Sequence, residues 1–118
     1  MSNNKNITPS QQDVQKAFEL LYEELNKAYW AASTIEDKDY LHGIIEIVSD
    51  ILDQLDIADI KSRTQDFNAL SQKVKDLNSR LDKLQQDIDT IIHAVNVATS
   101  VTNAIAQAIA VAAKFFPG

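Results

Sequence analysis

Between Pro9 and Pro117 the sequence contains one glycine, Gly43, and no proline. A β-sandwich or barrel reverses its chain direction often and needs turn-forming residues at each reversal. A long stretch without glycine or proline instead favours helices, which both residues interrupt. The chain has 118 residues, the length of one domain, and 45% of them are hydrophobic, as in an ordinary globular protein. We therefore predict a single all-α domain.

Apolar residues in the first half of the chain repeat at steps of three and four, the spacing of one helix face. They predict a first helix over residues 9–32 and a second over residues 34–61, after a polar tail at residues 1–8 that we expect to be disordered. Residues 8–11 and 33–36 have the pattern of capping boxes at the starts of these helices. Because the connection is short, the two helices should pack as an antiparallel hairpin.

The second half has the most regular pattern, since fifteen positions from Phe67 to Phe116 alternate steps of three and four, and only Thr102 among them is polar. Sustained heptad spacing is typical of coiled coils. It predicts a long, coiled-coil-like helix over residues 63–116, packed on the hairpin to give a three- or four-helix bundle. A break near residues 89–103 is the alternative, but no glycine or proline marks one, and we expect continuity. A continuous helix of about 80 Å would extend beyond the hairpin, which favours oligomerisation.

The last part of this helix lacks charge, because residues 90–113 contain no Asp, Glu, Lys or Arg. A segment of this length can cross a bilayer, which needs about 20 apolar residues. Its composition argues against a simple anchor, because polar side chains occur throughout it. Five of them follow one another at steps of three and four and form a polar stripe: His93, Asn96, Ser100, Asn103 and Gln107.

The heptad positions of the same segment are candidate interaction residues, for an oligomer or for a membrane. They are Val95, Ala98, Thr102, Ile105, Ile109, Ala112 and Phe116. Three arrangements use such a two-faced helix. It forms the core of a bundle with the polar stripe at a solvated edge, or it packs against further copies with the stripe in an oligomer seam, or it enters a membrane with the stripe facing water in a pore.

Aromatic residues occur in pairs at two places. Tyr29 and Trp30 precede the short connection between the first two helices, where they either close the end of the hairpin core or form an exposed anchor for a partner or a membrane. Phe115 and Phe116 lie at the end of the last helix. We expect these two to be buried, because two exposed phenylalanines would form an adhesive patch.

No pattern in the sequence indicates catalysis or a cofactor. The chain has no cysteine, and His42 and His93 lie in different predicted helices without an acidic residue at a metal-binding spacing. Glu46, Asp50 and Asp53 share one helix face and are interpreted as solvated surface rather than as metal ligands. The net charge of −6 disfavours nucleic acid as a partner. We expect a protein that is not an enzyme and that needs no cofactor or metal.

These observations favour a non-enzymatic helical bundle that acts through helix–helix association, either as a homo-oligomer or with another helical protein. The alternative is a membrane-active protein that inserts residues 91–116 into a bilayer. Such a protein resembles helical pore-forming toxins in general architecture, without a shared motif. The N-terminal residues lack the apolar core of a signal peptide, so we expect a cytoplasmic location or export without a cleaved signal.

Overall fold

The computed structural model describes residues 10–116 and contains four α-helices, so the predicted all-α bundle is confirmed. The helices are α1 (Gln11–Ala31), α2 (Ile35–Leu55), α3 (Thr64–Ile91) and α4 (Val95–Phe115), with a short 3₁₀ helix, Ile60–Ser62, between α2 and α3. The tail predicted at residues 1–8 lies outside the described residues.

Consecutive helices run in opposite directions, and each packs against two others. The pairs are α1 with α2, α2 with α3, α3 with α4, and α4 with α1. The most extensive of these contacts joins α1 and α4. The buried face of α4 contains four alanines, and such short side chains let two helix backbones approach closely. In contrast, α3 contributes a leucine-rich face and makes less extensive contacts with its neighbours.

The first two helices are capped, although not by the predicted residues. The Ser10 hydroxyl accepts a hydrogen bond from the Asp13 backbone N–H at 3.1 Å, and the Asp13 carboxylate accepts one from the Ser10 N–H at 3.0 Å. This capping box covers residues 10–13, two residues after the predicted box at residues 8–11. The α2 cap is Thr34, whose hydroxyl accepts from the Asp37 N–H at 3.0 Å, one residue after the predicted position.

The predicted second helix, residues 34–61, ends early, because α2 stops at Leu55. Eight residues, 56–63, then connect it to α3. Within this connection Asp59 has a left-handed backbone (φ 52°), a conformation that aspartate tolerates better than most residues. Ile60 follows and is fully buried. Ile57 and Ile60 are three residues apart, so a helix-like apolar spacing, shifted in phase from that of α2, persists where the helix itself is absent, and this explains the error.

The expected continuous helix over residues 63–116 is instead two helices, because the backbone is extended at residues 92–94. The break falls inside the alternative window of residues 89–103. Thr90, Ile91 and Ile92 are β-branched, which weakens helix propensity locally. Folding back brings the alanine-rich face of α4 onto α1 and buries Ile92, whereas a straight helix would leave that face exposed. The geometric reason for expecting oligomerisation therefore no longer applies.

Candidate interaction surfaces

The polar stripe of α4 faces solvent. All five of its members, His93, Asn96, Ser100, Asn103 and Gln107, are exposed. Thr99, Ala106, Ala110 and Ala113 are exposed beside them. Eight of these nine residues lie in α4 and define its outer face, whereas His93 precedes the helix in the connection at residues 92–94. This is the placement expected if the helix belongs to the bundle core and its stripe lies at a solvated edge.

The predicted interaction residues of α4 are divided between core and surface. Ala98, Ile105, Ala112 and Phe116 are buried, Thr102 and Ile109 are half-buried, and Val95 is exposed. The heptad positions omit several residues that also lie in the core: Val101, Ala104, Ala108 and Phe115. The signal for these was the breadth of the apolar face, which is wider than one seam. Most of the predicted oligomer seam is thus occupied within the monomer.

Two separate cavities lie between α3 and α4, one towards each end of this helix pair, because short side chains of α4 leave space beside α3. The first cavity, about 170 Å³, is lined chiefly by Ile88, Asp89, Val95, Ala98, Thr99 and Thr102. The second, about 220 Å³, is lined by Ser71, Val74, Lys75, Asn78, Ala112, Ala113 and Phe116. We call this pair of cavities the α3/α4 groove. Five of the seven predicted interaction residues line it.

One polar atom in the α3/α4 groove lacks a partner. The side-chain oxygen Oδ1 of Asn78 is buried and accepts no hydrogen bond within the described residues. Leaving a buried acceptor unpaired costs about 1–3 kcal/mol. A donor from water or from a bound chain would remove this cost.

The outer face of α4 is also distinguished by its lack of charge. The only charged residue in α4 is Lys114, in its last turn. The other helices expose charges along their length, including the Lys83–Asp87 pair of α3 at 3.4 Å. Glu46, Asp50 and Asp53 of α2 are all exposed, as expected of a solvated acidic face. No group of three His, Asp or Glu side chains that could hold a metal occurs within residues 10–116.

The two ends of the bundle differ. At one end, Phe67, Phe115 and Phe116 pack together, with ring centroids 5.0–5.9 Å apart. The Lys61 ammonium lies 4.5 Å from the Phe115 ring centroid, a cation–π contact. Phe115 and Phe116 are buried, which confirms their prediction. We call this the closed end.

Gln11 seals the closed end. Its Nε2 donates to the backbone oxygens of Leu55 and Ile57, both at 2.7 Å, and its Oε1 accepts from the Ile60 N–H at 3.0 Å. One side chain thereby joins the start of α1 to the connection after α2. This role is not predictable from the sequence, because a glutamine in a first helical turn gives no signal for a contact more than 40 residues away.

The opposite end exposes three large apolar side chains. Trp30, Ile35 and Val95 are 77%, 74% and 77% exposed, against 37% for Leu20 and Tyr22, the other exposed large apolar residues in the described chain. They lie where α1 ends and where α2 and α4 begin, which the antiparallel order places at the same end. We call this the open end. Because Trp30 is exposed, it does not close the end of the hairpin core, which was one of the two predicted roles of the Tyr29–Trp30 pair.

Lys38 contacts both aromatic residues at the end of α1, in the open end. Its ammonium donates to the backbone oxygen of Tyr29 at 2.7 Å and lies 4.9 Å and 5.6 Å from the ring centroids of Tyr29 and Trp30. The rings of Tyr29 and Trp30 meet edge to face at 5.2 Å. Trp30 is therefore positioned although it is exposed, since a cation and a neighbouring ring restrict it.

One helix of residues 10–116, α4, is long and apolar enough to cross a membrane, with a mean hydropathy of 1.3 over its most apolar 18 residues. A third of that window is buried inside the bundle. Comparisons of the chain with protein families, curated proteins and solved structures give no match.

Proposed function

We propose that this protein is a non-enzymatic helical bundle that binds a helix of another chain along the α3/α4 groove and the outer face of α4. The observation that carries the proposal is the uncharged outer face of α4, next to the two cavities of the α3/α4 groove, on a bundle whose other helices expose charges.

The residue types on this surface suit a docking helix. Interface cores are depleted of charged residues, because each charge must lose its hydration. Amphipathic helices bind in grooves by inserting apolar side chains at helical spacing. Exposed Ala106, Ala110 and Ala113 permit close approach of such a helix, and the cavities offer space for its side chains. Asn78 Oδ1 would gain the donor that it lacks.

The packing favours a folded monomer that captures a partner over an obligate oligomer. The apolar side chains of α4 that a second copy was expected to cover are packed against α1. Obligate dimers usually bury large apolar faces, whereas non-obligate interfaces are about as polar as the remaining surface. The outer face of α4, which combines alanine with uncharged polar residues, has the second character.

Photo-crosslinking in the cells that produce the protein tests this proposal. A crosslinking amino acid replaces Ala106 on the outer face of α4 or, as a control, Asp50 on the acidic face of α2, both of which are exposed. We expect Ala106 to give a defined protein adduct, identified by mass spectrometry, and Asp50 to give none. Equal adducts at both positions, or no protein adduct at Ala106, would contradict the proposal.

A second candidate function, membrane insertion of residues 91–116, is favoured by the length and hydropathy of α4. It requires the bundle to open, because part of α4 is buried. A charge at the bilayer centre costs about 2.5–3.5 kcal/mol on insertion scales. If the protein releases dye from vesicles, Ala106→Glu should therefore reduce release, whereas Ala69→Glu at an exposed alanine of α3 should not. Absence of release by the unmodified chain would exclude this function.

A further inference from the structure

We infer that the open end binds a basic segment of a different protein that carries apolar residues beside its lysines or arginines. This inference rests on the proposed function, because it assigns the chemistry of the partner. Two features of the open end carry it: exposed apolar side chains and an excess of unpaired acids.

The large exposed apolar side chains lie at one end of the bundle. Within residues 10–116, the three large apolar residues that are more than 70% exposed, Trp30, Ile35 and Val95, all belong to the open end. Val95 also lines the 170 Å³ cavity of the α3/α4 groove. A partner helix seated in the groove would thus reach the open end without leaving the surface of α4.

The charge at the open end is acidic. Residues 27–42 and 87–98 together contain five acids and two lysines, a net charge of −3. Lys27 pairs with Glu24 at 3.2 Å, whereas Lys38 donates to the neutral Tyr29 carbonyl at 2.7 Å and keeps its charge, which is included in this net value.

Three of the acids are available to a partner. Glu36, Asp39 and Asp89 are exposed and form no ion pair within the described residues. Glu36 follows Ile35 in sequence, and Asp89 lines the same cavity as Val95. One acid thus lines a cavity together with an exposed apolar residue, and another is the sequence neighbour of one, a pattern that complements a segment of mixed basic and apolar residues.

The same charge disfavours other occupants. A second copy of this chain has a net charge of −6 and would bring an identical acidic end, so the two open ends repel each other. An anionic membrane surface is repelled in the same way. A basic segment is attracted by the acids and covers the apolar side chains, so it alone gains from both features.

Trp30 gives a direct test, because it is the only tryptophan in the chain and lies within the proposed site. The probe is a synthetic 18-residue amphipathic helix of leucine and lysine, which has no tryptophan, titrated into the full-length protein. A leucine–glutamate peptide of the same length is the control. We expect the leucine–lysine peptide alone to shift Trp30 emission to the blue, with an affinity that weakens as salt is added.

Two sets of neutral substitutions separate a local site from attraction to the acidic protein as a whole. Glu36→Gln, Asp39→Asn and Asp89→Asn combined should weaken binding roughly tenfold, as expected for three exposed ion pairs. Glu46→Gln, Asp50→Asn and Asp53→Asn on α2 change the net charge equally and should weaken it less than about twofold. Val95→Ser, at an exposed position, should also weaken binding if apolar contact contributes.

Equal weakening by the two triple variants would overturn the inference, as would a blue shift with the leucine–glutamate peptide. A blue shift caused by zwitterionic vesicles alone would assign the open end to membranes, and a shift with protein concentration alone would assign it to self-association. Either result overturns a basic partner. If Ala106 crosslinks to a protein but Trp30 does not respond to the leucine–lysine peptide, this inference fails and the proposed function stands. If Ala106 gives no adduct, the proposed function itself fails.

Discussion

Both ends of the bundle carry aromatic residues, but the closed end buries them and the open end exposes Trp30. Phe115 is 3% exposed at the closed end, whereas Trp30 is 77% exposed at the open end. The connections explain the difference. Eight residues link α2 to α3 at the closed end, enough to fold Ile60 and Lys61 over the bundle, whereas the two connections at the open end, residues 32–34 and 92–94, have three residues each. These short connections bury their own Ala32 and Ile92 but leave Trp30, Ile35 and Val95 uncovered.

The sharpest test of this comparison removes one aromatic ring from each end. Phe115→Ala should lower the free energy of unfolding by about 3–5 kcal/mol, because it opens a cavity among packed rings. Trp30→Ala should lower it by less than about 1 kcal/mol, since little of the indole is buried. Urea denaturation followed by circular dichroism measures both. Similar losses would mean that Trp30 is packed in solution and that the open end is not open.

A smaller effect is expected from the side chain that seals the closed end. Gln11→Ala removes three hydrogen bonds and leaves partly buried backbone groups at Leu55, Ile57 and Ile60 unpaired, which should cost about 1–3 kcal/mol.

The matched control for Gln11 is Gln15→Ala, one turn further along α1. Gln15 donates to Asp56 at 2.9 Å in an exposed setting, and its loss should cost less than about 0.5 kcal/mol. Hydrogen exchange adds a local readout, since Gln11→Ala should speed exchange at the Ile60 N–H. Equal losses of stability for the two variants would remove Gln11 from its role in closure.

The smallest effect concerns how far solvent penetrates the bundle from the open end. Tyr40 lies in the second turn of α2 beside Lys83 and Asp87 of α3, and burial raises its pKa above the ordinary value of 10.0. A raised folded-state pKa means that the contribution of this group to stability is complete below pH 10 and is lost as the pH rises through the folded-state pKa.

Tyr40→Phe removes this alkaline loss together with a hydroxyl that has no hydrogen-bond partner in the described residues. At pH 8 the variant should match the unmodified protein or exceed it by a few tenths of a kcal/mol. Above pH 10 the difference should grow in favour of the variant, as measured by urea denaturation at both pH values. A difference that does not change with pH would indicate that solvent reaches Tyr40 and that the open end extends into the bundle.

The sequence predicted the helices better than their limits. Periodicity identified the apolar faces of α1, α2 and α3 because most of their buried residues recur at steps of three and four. It failed at residues 56–61, where Ile57 and buried Ile60 keep a three-residue spacing, shifted in phase, in a backbone that is no longer α-helical. Spacing records which side chains are buried, and burial is not confined to helices.

The candidate surfaces were predicted in part. The polar stripe was read from spacing, and the structure places all of its residues in solvent. The α3/α4 groove was not foreseen, because it depends on which helices become neighbours. Exposure of Trp30 was one of two predicted alternatives, whereas its grouping with Ile35 and Val95 at one end depends on the tertiary arrangement. Val95 shows why: its heptad position predicted a seam residue, but the break at residues 92–94 turns it outward.

The sequence by itself determined that this chain is helical, amphipathic and acidic, because residue type and spacing decide helix propensity, burial pattern and charge without reference to distant contacts. Only the tertiary structure decided that the long apolar pattern folds back, that Gln11 seals one end and that Trp30, Ile35 and Val95 meet solvent at the other. The physical reason is that the gain from burying the alanine face of α4 against α1 outweighs the helical hydrogen bonds lost at residues 92–94. That balance exists only once the first hairpin is present to receive α4.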